Sequence, residues 1–308
     1  MVRLDGGVGR PMAGRRRALA RGAAVWCIGS LAAVCHALTG GSGPVEPPAE
    51  RPFSAVGSLE AGGRLYSAVL IGRQHVITAA HLVAGAAPAS VRFRSTLGGG
   101  FVGTGTAVHV NPAYTGSTAG NQPGDPSVHA DLAIVRLDRP APAALQPVQL
   151  FGGPLLGRTL TLVSHGGSTT LVTSGDNRAD VVFADALGRP ATYLFDFDGP
   201  DLGSNRLGPA VPVNGSLGAQ REATLVNGDS GSAAFVQIDG QWGLAGINTF
   251  EISFGAGPTE RGAYGSGAGG VVLAGHKDWI REVVSAPVVD TKPAAVQRGK
   301  AAGQTEKE

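Results

Sequence analysis

The sequence predicts an all-β protein, and three observations carry that prediction. First, 49 of the 308 residues are glycine, a content that favours many turns and short strands over long helices. Second, from residue 54 onward short apolar runs alternate with turn residues about every ten positions, the rhythm of a sandwich or barrel. Third, helical periodicity is confined to one good candidate near the C-terminus, residues 276–285, where Trp279, Ile280, Val283 and Val284 share a face.

The elements follow in order. Residues 1–37 read as an export signal: Arg15-Arg16-Arg17 closes a basic start, residues 23–34 form a short apolar run, and Cys35-His36-Ala37 offers a cleavage point after a small residue. The run is too short to span a bilayer, so no membrane span is expected once the signal is removed. The signal reads as an ordinary secretory one, with Arg16-Arg17 leaving a twin-arginine route open. The expected destination is secreted or periplasmic. Residues 38–53, rich in Gly, Pro and Glu, read as a linker or propeptide. Candidate strands cover residues 65–71, 75–78, 91–94, 104–110, 132–137, 159–164, 192–195, 233–237, 242–248 and 270–274, within a domain spanning 54–285. The helix should pack on the barrel. Residues 286–308 turn to Pro, Lys, Gln, Gly and Glu and read as a disordered tail.

Composition excludes several functions. The formal charge of +2 rests on six arginines and one aspartate in residues 1–37; the remainder holds 19 basic and 22 acidic residues. No basic face for nucleic acid follows from that balance. No Gly-x-Gly-x-x-Gly segment joins a strand to a helix, so nucleotide binding has no support. Both cysteines, Cys27 and Cys35, lie in the export segment. The mature chain therefore has no disulfide, no cysteine nucleophile and no thiolate metal site.

Three short segments carry chemistry: Thr78-Ala79-Ala80-His81, Asp131-Leu132-Ala133-Ile134-Val135 and Asn227-Gly228-Asp229-Ser230-Gly231-Ser232. A serine hydroxyl is a poor nucleophile until a base takes its proton, and histidine can accept and return a proton near neutral pH. A carboxylate then holds one imidazole tautomer and stabilises the imidazolium. Ser230, His81 and Asp131 are the candidates for these three tasks. A tetrahedral intermediate also needs two donors. Gly228 has the backbone freedom for a tight turn in which its N–H and that of Ser230 point into one hole.

At these residues the chain resembles a bacterial, secreted member of the trypsin/chymotrypsin serine peptidase family, which uses the same order His, Asp, Ser. The resemblance runs from Leu70-Ile71-Gly72 through His81, over residues 131–137 and Gly228-Asp229-Ser230-Gly231, to Trp242-Gly243-Leu244-Ala245-Gly246-Ile247 and Asp278-Trp279-Ile280. It implies two six-stranded antiparallel β-barrels with a C-terminal α-helix, and a serine endopeptidase that acts on protein or peptide substrates without cofactor or metal. It further implies that Thr249, Phe250 and Glu251 line the edge on which substrate pairs. Thr224 would lie at the base of the specificity pocket, with Gly270 as a wall. Thr224 is not aspartate, so a preference for Arg or Lys lacks its usual partner. No stretch matches the Ile-Val-Gly-Gly-like start whose amino terminus would pair with Asp229; Ser54-Ala55-Val56-Gly57 is the nearest.

Two other readings follow from the residues. An esterase is disfavoured because the Gly-x-Ser-x-Gly elbow is missing. A noncatalytic binding module would keep the fold, but no triad residue is lost. Asp196-x-Asp198-Gly199-x-Asp201 departs from calcium-loop spacing and reads as a solvated acidic turn. His75, His109, His129 and His165 have no comparable context and read as ordinary surface or core histidines.

Overall fold

The computed structural model describes residues 37–41, 52–96, 100–116, 126–170, 172–208, 215–254 and 260–287, all within the unit Cys35–Glu308. The predicted export segment ahead of Ala37 and the tail beyond residue 287 lie outside the described residues.

A first strand, β1 (Thr39–Gly40), precedes six that close into a barrel: β2 (Val56–Ala61), β3 (Arg64–Gly72), β4 (His75–Thr78), β5 (Arg92–Arg94), β6 (Val102–Val110) and β7 (Ala133–Leu137). The barrel order is β2-β3-β4-β7-β6-β5, antiparallel throughout. Gly62-Gly63 makes the two-residue turn between β2 and β3, with φ of 58° and 74°, the left-handed pair that matches strand twist. Leu59, Val69, Ile77, Phe93 and Ile134 are fully buried in the barrel core. Each such side chain contributes about 1.5–3 kcal/mol by leaving water.

The second half holds β8 (Thr159–Ser164), β9 (Thr173–Arg178), β10 (Val181–Ala184), β11 (Pro190–Asp196), β12 (Ala223–Thr224), β13 (Ala233–Ile238), β14 (Gln241–Ser253) and β15 (Ser266–Val272). Seven of these form one sheet in the order β10-β11-β15-β14-β13-β8-β9, while β12 pairs with β1. The all-β class holds, but this half is a seven-stranded sheet where a second six-stranded barrel was expected. Its outer strands, β9 and β10, are joined only by Ala179 and Asp180. The ends of the sheet thus meet at one corner without pairing.

Three helices are short: α1 (Ala80–Val83), α2 (Pro126–His129) and α3 (Lys277–Ser285). The apolar face of α3 behaves as its periodicity predicts. Ile280 is buried, and Trp279, Val283 and Val284 pack on the same core as the barrel.

The acidic segment after β11 differs from the solvated turn expected. Asp196 and Asp198 are 1% and 2% exposed, and Asp180 and Glu222 join them, each at 2%. Asp196 accepts hydrogen bonds from the N–H groups of Arg206 and Leu207 at 2.5 and 2.7 Å. Glu222 accepts from Asp198 N–H at 2.7 Å and Leu217 N–H at 2.6 Å. Among the described residues no group of three or more His, Cys, Asp or Glu side chains is arranged to hold a metal ion.

Burial, reinforced by the Asp196 charge, pushes Asp180 up to about 8 and Asp198 up to about 7. The folded state therefore keeps protons that the unfolded chain has already lost, and stability must fall as pH rises towards about 8. Denaturation midpoints should drop between about pH 5 and about pH 9, and Asp180→Asn should flatten that slope. An unchanged slope in the variant would remove Asp180 as its source.

Candidate active site

Helix α1 begins after Ala79, which supplies no side-chain cap. The first N–H groups of a helix lack internal partners. Here the Asp131 carboxylate takes one of them, with His81 N–H donating to Oδ1 at 2.8 Å. The second carboxylate oxygen meets His81 Nδ1 at 2.6 Å. An ionised carboxylate only accepts, so Nδ1 carries the proton and Nε2 keeps a lone pair. Asp131 is 11% exposed at its side chain and His81 31%. The imidazole is thus held on one side and reachable on the other.

The loop bearing Ser230 is fastened to both halves of the molecule. Ser67 N–H on β3 donates to the Ser230 carbonyl at 3.2 Å, and Gly231 N–H donates to the Asn248 carbonyl on β14 at 2.8 Å. Gly231 has φ of 83°, and a Cβ on it would sit 2.1 Å from the Ser67 carbonyl and 2.3 Å from Thr78 Oγ1. The serine turn therefore lies directly against Thr78, three residues before His81. Gly228 has φ of 105°. Neither its N–H nor that of Ser230 meets an acceptor among the described residues, and the Ser230 hydroxyl also makes no hydrogen bond among them.

Behind this turn a relay of hydroxyls crosses from barrel to sheet. Ser164 Oγ donates to Asp229 Oδ1 at 2.6 Å. That leaves Ser67 Oγ to donate to Ser164 Oγ at 3.2 Å. Asp229 is fully buried, and burial raises its pKa to about 6 against the pull of these donors. Its other oxygen accepts from Val226 N–H at 2.7 Å and Leu38 N–H at 3.1 Å.

The Leu38 contact answers what the sequence left open. Ala37 and Leu38 are buried, each 4% exposed, Thr39 and Gly40 pair with Thr224 and Ala223, and Thr173 Oγ1 donates to the Ala37 carbonyl at 2.7 Å. Leu38-Thr39-Gly40-Gly41 thus takes the place that sequence reading sought at Ser54-Ala55-Val56-Gly57. The latter forms a 3-10 turn and the start of β2 instead. The signal available was the glycine pair that begins three residues past Ala37.

The pocket residues fall as follows. Thr224 is fully buried, and its hydroxyl has no partner among the described residues. Thr249 sits where the β14–β15 register shifts, its hydroxyl also without a partner among the described residues. Phe250 covers Gly269. Glu251 has one buried carboxylate oxygen without a hydrogen bond among the described residues, and burial raises its pKa. A Cβ on Gly270 would lie 2.6 Å from the Tyr193 hydroxyl, which donates to Asn248 Oδ1 at 2.7 Å. The ladder of β14 with β13 runs to Ile247 and Asn248 still bonds Ser232 and Gly231 on that side, so from Thr249 onward β14 is paired by β15 alone. His165 is a core residue, 1% exposed, and burial lowers it to about 4.

A closed barrel, a second sheet and a histidine–carboxylate pair beside a serine turn define the class, a trypsin-like peptidase fold. The chain belongs to the trypsin-like peptidase domain family, whose model matches residues 66–247, a span that contains His81, Asp131 and Ser230. It is accordingly a peptidase-family hydrolase with protein substrates. No curated protein matches the chain. Among the described residues no helix is long and apolar enough to cross a membrane.

Proposed function

We propose that this protein is an exported serine endopeptidase that works through an acyl-enzyme. The observation that carries the reading is the 2.6 Å bond from His81 Nδ1 to Asp131, which leaves Nε2 as the base. In this mechanism Ser230 Oγ attacks the scissile carbonyl as Nε2 takes its proton. The N–H groups of Gly228 and Ser230 hold the oxyanion, and Asp131 stabilises the imidazolium. His81 then returns the proton to the leaving amine, and water, activated by the same imidazole, releases the acyl group. The substrate backbone pairs with the edge of β14 at Thr249, Phe250 and Glu251, as added strands do. Thr224 gives the pocket a hydroxyl floor.

Export would remove the segment ahead of Leu38. Cleavage after Ala37 turns the atom already bonded to Asp229 into an α-amino group, whose positive charge compensates that buried carboxylate. A noncatalytic module is the competing reading, favoured only by the unbonded Ser230 hydroxyl. Catalytic hydrogen bonds are often long before substrate binds.

The test uses protein recovered outside the cell. Its first residue should be Leu38, and a fluorophosphonate probe should label it but not Ser230→Ala. Labelling that persists in the variant removes Ser230 as nucleophile. An unlabelled wild-type protein beginning at Leu38 favours the binding module.

A further inference from the structure

Asp131 lies in the short link between α2 and β7, and the residues ahead of it are held from the far half of the molecule. His276 ends the 3-10 turn Leu273–His276 that leads into α3. Its Nε2 lies 3.0 Å from the carbonyl of His129, two residues before Asp131. Its Nδ1 lies 3.0 Å from Asn111 Nδ2. The orientation of that amide is set independently, because Ala113 N–H donates to Asn111 Oδ1 at 3.0 Å. An amide NH₂ only donates, so Nδ1 must accept and Nε2 must carry the proton given to His129. On the other side Asn111 N–H donates to the Leu132 carbonyl at 2.9 Å. Asn111 and His276 therefore bracket Asp131 from both sides in sequence.

We infer that His276 is a positioning residue: as a neutral imidazole it braces the Asp131 link, and protonation of Nδ1 breaks that brace in acid. This rests on the peptidase reading. A protonated ring would set an N–H against the Asn111 NH₂, two donors facing each other, so charge on His276 and the Asn111 bond exclude one another.

The surrounding groups hold the ring neutral at ordinary pH. Burial lowers its pKa first and most. The His129 carbonyl and Asp185 act against that, while Arg189 and the His129 side chain add to it. A cavity of about 410 Å³, lined in part by His129, Asp185, Arg189 and His276, gives the ring a route to solvent protons. The brace costs nothing at neutral pH and fails only when the proton arrives.

The test compares wild type, His276→Ala and His276→Gln on a peptide substrate across the acid and neutral range. Glutamine can accept from Asn111 and donate to His129, so it is the rescue variant. His276→Ala should lower kcat about tenfold or more with KM little changed, the scale of a displaced catalytic group. His276→Gln should recover most of that loss. Its acid limb should follow one proton, where the wild type loses activity with two.

A turnover-free readout runs beside it: the low-field NMR proton of His81 Nδ1, sharp in wild type and in His276→Gln, broadened in His276→Ala. Wild-type kcat and pH profile in His276→Ala, or a glutamine variant no better than alanine, would overturn the brace. Should the wild type itself fail to turn over, the peptidase reading falls. The NMR comparison then decides alone, and an unaltered His81 resonance in His276→Ala overturns it.

Discussion

Asp131→Asn should lower kcat about 10⁴-fold at neutral pH while leaving the fold and KM nearly unchanged. The two bonds from His81 separate these effects. The bond from His81 N–H to Oδ1 at 2.8 Å needs only an acceptor, which the asparagine carbonyl still provides, so the start of α1 stays capped. The bond at Nδ1 then faces an NH₂ group. That donor forces Nδ1 to accept, moves the ring proton to Nε2 and takes away the lone pair meant for Ser230. Asp131→Ala should add a loss of about 1 kcal/mol in stability, because the helix N–H is orphaned as well. Steady-state kinetics with near-UV circular dichroism would separate the two variants. A fall in kcat of less than about tenfold in Asp131→Asn would show that the tautomer does not control the rate.

Gly231→Ala should destabilise the protein by about 2–5 kcal/mol and also silence Ser230. The left-handed backbone contributes about 1–2 kcal/mol of that, and overpacking adds about 1–3 kcal/mol. The new methyl would meet the Ser67 carbonyl and Thr78 Oγ1 at 2.1 and 2.3 Å. Those two atoms already share a hydrogen bond of 2.9 Å, so neither can retreat without opening the join between β3 and β4. For a domain of this size the melting temperature should fall by about 5–15 °C. Gly228→Ala is the control. Its nearest neighbours stand 3.4 Å or more away, so it keeps the backbone strain without the collision. Thermal melts and probe labelling measure both variants, and a wild-type melt for Gly231→Ala would contradict the packing described.

Much of the fold is legible in the sequence where one face of a strand is apolar. Residues 75–78 and 159–164 match β4 and β8 end to end, because Val76, Ile77, Leu160 and Leu162 are buried in clean runs. Strand β9, Thr173–Arg178, escapes notice: its residues are polar, yet Thr173, Ser174 and Asn177 are buried. The Asn177 NH₂ donates to the carbonyls of Asp196 and Ala223, partners on other strands that local sequence does not announce. The acidic segment fails for the same reason. Local composition reads Asp196 and Asp198 as solvated, whereas the N–H groups of Arg206 and Leu207 in a later loop make the burial of Asp196 tolerable, and burial pushes Asp198 towards its neutral form.

His81, Asp131 and Ser230 stand out because each sits in a short, recognisable context that chemistry requires. Leu38 and His276 do not, since neither residue type nor spacing marks them. Leu38 matters because a buried carboxylate lies 3.1 Å from its N–H, and His276 because the chain returns after Asp131 to place a ring beside the His129 carbonyl.

By itself the sequence determined the all-β class, and it singled out the candidate groups and the order in which they occur, since these follow from local patterning and from residue chemistry. Only the tertiary structure decided which partners the buried polar groups find, that the second sheet stays open, and which residues brace Asp131 and Asp229. Those outcomes depend on hydrogen bonds between segments separated in the chain, from 19 residues for Asn177 and Asp196 to 191 for Leu38 and Asp229, and such bonds leave no periodicity to read.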